Sequence, residues 1–189
     1  MSIPAAPAID AHTFAVYDYG NPLVQRAVRD LKYHRNAPSA HVLAKHGIDT
    51  IIEWLGEMLQ STSPEQVILV PIPQHTSKTA ARGFNQAALL AEWIASSFPG
   101  ARVKNVLTKV TLTMPQAHTS SKTMRLKNVG HSMRAAESLD PSLFYLIVDD
   151  VITTGATVHE ATRALRDSGA RKILAVSLAH GYSHHHKNK

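Results

Sequence analysis

The segment LIVDDVITTGATVHEA, Leu146 to Ala161, constrains the fold more than any other part of the chain. It sits in the tail of a short continuous apolar run, Leu143 to Val148, which reads as a strand buried on both faces. Val158 to Leu165 then returns at helical spacing, and Gly169 closes that helix. Ile173 to Leu178 is a second apolar run. Strand, helix and strand in that order imply a parallel crossover, and hence an α/β sheet.

Between strand and helix lie the residues with chemistry. The strand delivers Asp149 and Asp150 to its carboxyl end, where α/β folds place their ligands. Thr153, Thr154, Gly155, Ala156 and Thr157 follow at the mouth of the helix. A first helical turn has no internal acceptors for its N–H groups, and the helix dipole is positive there, so the turn makes an anion cradle. Gly155 lets the backbone approach a phosphate, and the threonine hydroxyls add donors. An ordinary turn with capping threonines accounts for Thr and Gly, but not for two acids beside an anion site. A sugar phosphate accounts for both. The carboxylates take its hydroxyls or a hydrated Mg²⁺, and the loop takes its phosphate.

The remaining chain supplies helices and strands for one α/β domain. Asn21-Pro22 reads as an N-cap with proline at the first helical position, followed by Leu23, Ala27, Val28 and Leu31 at helical spacing. A second helix is predicted from Ser39 to Gln60, a buried strand from Val67 to Val70, and helical period from Phe84 to Ile94. Val103 to Leu107 is a weak strand. Thr108 to Asn128 has no usable period, and a long unstructured stretch in a compact domain is where a lid belongs.

Charge is unevenly spread. Between Glu92 and Glu137 there is no acidic residue, yet Arg102, Lys104, Lys109, Lys122, Arg125, Lys127 and Arg134 lie there. That concentration implies a polyanionic partner, set against a merely solvated basic loop. The chain has no cysteine, which excludes disulfides, thiolate zinc sites and cysteine nucleophiles. No apolar run is long enough for a bilayer, and Pro4 and Pro7 interrupt the N-terminal apolar stretch, so the expectation is a cytoplasmic protein without membrane insertion.

VDDVITTGAT, Val148 to Thr157, closely resembles the phosphoribosyl-pyrophosphate signature of type I phosphoribosyltransferases. Three more blocks resemble the ComF family of competence-related proteins: YDYGNPLVQRAVRDLKYHRN, VPIPQHTSKTAARGFNQAALLA, and TMPQ followed by RLKNV. The resemblance implies a mostly parallel sheet flanked by helices, with a flexible loop or hood over the site. It implies that Asp149 and Asp150 bind the ribose hydroxyls, with Mg²⁺ held through ligand or water, and that Thr153 to Thr157 bind the 5′-phosphate. Arg82, Asn85 and Gln86 would line the cleft, and Thr113, Gln116, Arg125 and Asn128 would sit on the closing loop. Lys78 and Arg82, which follow a strand, are placed to receive pyrophosphate. Two features depart from the family. The four-cysteine zinc module of many relatives is missing. The loop is a residue long between Gln116 and Arg125, and His131-Ser132-Met133 stands where relatives have Gly-Ala-Phe.

The implied reaction is transfer of a phosphoribosyl group from phosphoribosyl pyrophosphate to a nitrogen nucleophile, with release of pyrophosphate. It needs basic groups, Mg²⁺ and a lid that excludes water, but no protein nucleophile. No base-recognition pocket is legible, so the acceptor is open. The rival is a non-catalytic single-stranded-DNA-binding protein of DNA uptake, which keeps the pocket while the basic segment tracks phosphates. Tyr17, Tyr19, Tyr33 and Phe84 would be its stacking candidates. The expected division is an extension over residues 1–16, the phosphoribosyltransferase-like domain over 17–182, and a histidine-rich solvated tail over 183–189.

Overall fold

A computed structural model describes residues 9–33, 38–60, 62–74, 83–110 and 132–181. Its elements in chain order are β1 (Thr13–Asp18), α1 (Pro22–Tyr33), α2 (Pro38–Met58), β2 (Val67–Pro71), α3 (Gln86–Ser97), β3 (Arg102–Val103), β4 (Leu107–Lys109), β5 (Met133–Ala135), β6 (Phe144–Ile152), α4 (Ala156–Asp167) and β7 (Lys172–His180). Five strands form one sheet in the order β1-β7-β6-β2-β3, and every pairing in it is parallel. β4 and β5 form a separate antiparallel ribbon. This is the α/β architecture that the strand–helix–strand pattern implies.

The central strands read as continuous apolar runs because both faces are covered. Leu146 and Val148 of β6 face one core, shared with Val24 and Leu31 of α1, Ile51 and Leu55 of α2, and Leu90 and Ile94 of α3. Tyr145 and Ile147 face a second core, under α4 and the ribbon, with Val158, Leu165 and Met133. The alternation is the pleat's period of two.

Local signals explain the element ends. Asn21 Oδ1 accepts from the Leu23 N–H at 2.9 Å, capping α1 as its Asn-Pro start predicts. Leu23 itself is 56% exposed; Val24 takes its place in the core with Ala27, Val28 and Leu31. α4 ends at Gly169, whose φ of +111° only glycine adopts readily. There the Ala170 N–H reaches back to the Leu165 carbonyl at 3.1 Å.

Two expectations shift. The weak strand at Val103 to Leu107 is two short strands in different sheets, because the chain leaves the main sheet after Val103 and joins the ribbon at Leu107. β1 was not expected, and it starts at Thr13, inside the stretch set aside as an extension. It pairs along β7 from Thr13 opposite Ala175 to Asp18 opposite His180. Among the described residues no helix is long and apolar enough to cross a membrane.

Candidate functional site

β6 runs on to Ile152, so Asp149 and Asp150 lie within the strand rather than just past its end. Consecutive strand residues lean opposite ways, and the two acids reach different neighbours accordingly. Asp149 lines a shallow dent of about 20 Å³ with Thr153, Gly155, Ala156 and Thr157. Asp150 reaches across to α1, where its Oδ2 lies 3.1 Å from Lys32 Nζ. The two remain in contact: Asp149 Oδ1 accepts from the Asp150 N–H at 2.9 Å, and the two carboxyl groups also meet side chain to side chain. Burial, and then the neighbouring Asp150 carboxylate, push the Asp149 carboxyl well above the usual carboxylate range.

The turn has the form of an anion cradle. Gly155 is the N-cap of α4 in left-handed backbone, φ 74°. A Cβ built on it would meet nothing within 4 Å, so the space over the turn is open. The Ala156 N–H leans on Thr154 Oγ1 at 3.4 Å. The N–H groups of Gly155, Thr157 and Val158 find no acceptor among the described residues, as the first turn of a helix leads one to expect.

Of the cleft residues implied by the family blocks, Asn85 and Gln86 are described and are engaged with protein. Asn85 caps α3 through the Ala87 N–H at 3.0 Å and donates from Nδ2 to the Ile72 carbonyl at 2.9 Å. Gln86 is wholly buried; it donates to the Lys32 carbonyl at 3.3 Å and accepts from Gln74 Nε2. Together they fasten the start of α3 and the end of α1 beside the carboxyl ends of β2 and β6. Lys78, Arg82, Thr113, Gln116, Arg125 and Asn128 lie outside the described residues. So do Lys122, Lys127 and the histidine-rich tail.

Lys32 escaped the sequence reading. Its place in the last turn of α1 fits the helix dipole, and nothing local signals a partner on β6. The proposed stacking aromatics divide: Tyr17 is buried and donates its hydroxyl to the Leu43 carbonyl at 3.2 Å, Tyr19 and Phe84 are half-buried, and Tyr33 is 63% exposed. A cavity of about 630 Å³ borders the turn without touching Asp149 or Asp150, lined by Ile9, Thr13, Gly155, His159 and Arg166 among others.

The turn and the acid stand at the carboxyl end of a parallel strand, where α/β domains place their ligands. The chain belongs to the family described as "Phosphoribosyl transferase domain", which matches residues 42–189. Its relatives include the DNA utilization protein YhgH of Salmonella typhi, 31% identical over 84% of this chain and 67% of that protein. Competence protein F of Haemophilus influenzae is 34% identical over 61% of this chain and 50% of its own length. These are the ComF-type proteins that the sequence blocks resemble. Among solved structures, a purine phosphoribosyltransferase from Pyrococcus horikoshii aligns over 74% of this chain and 80% of its own, with a TM-score of 0.44 and 17% identity.

Proposed function

We propose that the chain binds phosphoribosyl pyrophosphate and transfers its phosphoribosyl group to a nitrogen acceptor, releasing pyrophosphate, in the cytoplasm. The observation that carries this reading is the Gly155 turn, whose unaccepted N–H groups face open space with Asp149 alongside. The turn holds the 5′-phosphate through Thr153 to Thr157. Asp149 and Asp150 take the ribose hydroxyls and fix the sugar's orientation. Lys78, Arg82 and the loop residues Thr113, Gln116, Arg125 and Asn128 are assigned to the pyrophosphate side, on the strength of the family blocks.

The donor set suits Mg²⁺. Among the described residues no three His, Asp or Glu side chains gather to cage a cation. Mg²⁺ characteristically takes one or two carboxylates and completes its shell with water and ligand phosphates. Asp149 and Asp150 would hold it, and it would neutralise charge developing on the departing pyrophosphate. Calorimetry with phosphoribosyl pyrophosphate and Mg²⁺ tests the reading. Asp149→Asn with Asp150→Asn should abolish binding while the fold survives, and unchanged affinity in that variant rejects it. Pyrophosphate release with a panel of bases then tests transfer.

A second reading, single-stranded-DNA binding without catalysis, has one structural observation in its favour. Arg102, Lys104, Lys109 and Arg134 are all exposed on β3, the β3–β4 connection and the ribbon, where a phosphate backbone would find them. The relatives' names, DNA utilization and competence proteins, point the same way.

A further inference from the structure

Lys32 is held at the site by more than its ion pair. Its side chain is 26% exposed and that of Asp150 only 14%, so both charges are largely withdrawn from water. Its carbonyl is fixed by the fully buried Gln86, whose other amide end is tied to Gln74 beyond β2. The last turn of α1 is therefore anchored to the start of α3 and to the end of β2, with its ammonium aimed at the signature strand. A lysine serving only the helix dipole needs none of this. Two adjacent carboxylates, one of them buried, repel each other and any phosphate nearby unless a cation intervenes. Among the described residues, Lys32 supplies that cation.

We infer that Lys32 is the resident counter-ion of the acid pair and exchanges partners when ligand binds. Before ligand binds it neutralises Asp150. When ribose hydroxyls and a divalent cation claim Asp150, the ammonium is released and turns to an oxygen of the ligand's diphosphate. Lys32 and a divalent cation thus compete for one carboxylate, and the lysine's charge reappears where the leaving group needs it. This rests on the phosphoribosyl pyrophosphate reading for its second half alone; competition at Asp150 stands on the geometry.

The test uses Mn²⁺ as a spectroscopic probe, titrated into ligand-free full-length protein and followed by electron paramagnetic resonance. Lys32→Met should bind Mn²⁺ about tenfold more tightly than the parent, roughly the worth of one ammonium against a doubly charged ion at water-like screening. Lys32→Arg should match the parent, and Lys32→Met with Asp150→Asn should lose the gain. Equal Mn²⁺ affinity in the parent and Lys32→Met overturns the inference. Should Lys32→Met fail to melt cooperatively, Lys32→Gln is read the same way. In calorimetry, Lys32→Met should weaken Mg²⁺–phosphoribosyl pyrophosphate at least about tenfold and leave ribose 5-phosphate within about twofold. Equal losses for both ligands would mean that Lys32 merely holds the site's shape, and would overturn the partner exchange. A parent that binds no phosphoribosyl pyrophosphate sinks the proposed function, while the Mn²⁺ titration still decides whether Lys32 guards Asp150.

Discussion

Both ends of α4 are set by a glycine in backbone that other residues avoid, Gly155 at φ +74° and Gly169 at φ +111°. Alanine at each position separates two costs that usually come together. At Gly155 the new Cβ meets nothing within 4 Å. The left-handed penalty of about 1–2 kcal/mol therefore stands alone, partly offset by about 0.4–1 kcal/mol because alanine stiffens the unfolded chain. Gly155→Ala should destabilise by roughly 1 kcal/mol, a melting shift of about 2–4 °C for a chain of this size. At Gly169 the same atom would lie 2.7 Å from the Leu139 carbonyl oxygen. Leu139 cannot easily retreat, because its own N–H is bonded to the Ser168 carbonyl at 2.7 Å. Overpacking adds about 1–3 kcal/mol, so Gly169→Ala should cost roughly 3 kcal/mol. Urea unfolding followed by Trp54 and Trp93 fluorescence reads the difference as a midpoint shift at constant slope. Equal destabilisation by the two substitutions would refute the reasoning. Ligand binding supplies the inverse contrast. The mild Gly155→Ala should weaken ribose 5-phosphate at least about tenfold by placing a methyl over the cradle, while the damaging Gly169→Ala should leave the folded fraction's affinity unchanged.

Other expectations follow from the electrostatics. Asp149 is held above the usual carboxylate range by burial and by Asp150, so its ionised form opposes folding at any pH above its ordinary 3.8. Asp149→Asn should accordingly raise the neutral-pH melting temperature while removing ligand binding; a lower melting temperature would contradict the assignment. Glu160 is held below its ordinary 4.5 by the Arg163 side chain, and both bond to Met133 of the ribbon. Its contribution is full above pH 4.5 and disappears as pH falls through the lowered folded value. Glu160→Gln should cost about 1–2 kcal/mol at pH 7 and flatten the acid limb of a stability–pH profile; parallel profiles for parent and variant would argue against it. If single-stranded DNA uses the ribbon, Lys109→Ala with Arg134→Ala should flatten the salt dependence of binding by about 1.4 log units per log unit of salt, and an unchanged slope would clear the ribbon of that role.

The parts of the fold legible in the sequence are those that local chemistry decides. The apolar run before Asp149, the Thr-Gly turn and the closing Gly169 each need only neighbours within a few residues. The Asn21-Pro22 start is legible for the same reason. β1 was missed although Thr13 to Tyr17 is rich in β-branched and aromatic residues, because its pairing partner β7 comes at the far end of the chain. The acids were legible as residue types but not as directions. Only the sheet shows that Asp150 turns to Lys32, and that Gln86 spends its amide on anchoring α1. Contacts of that range leave no periodicity to read.

The family match begins at residue 42, yet the described fold reaches back well ahead of it, to β1 at Thr13 and to Ile9 against the second core. β1 and α1 both precede that boundary, and they contribute Val24, Val28, Leu31 and the parallel pairing along β7. A fragment trimmed to the matched region would turn β7 from an inner strand into a rim. The newly bared strand, KILAVSLAH, is nine residues long with no charge between its ends at neutral pH, the kind of edge along which chains add to one another. Such a fragment should precipitate where the full chain stays dispersed, so the useful expression boundary for this domain lies ahead of Ile9, which packs on the core before β1 begins.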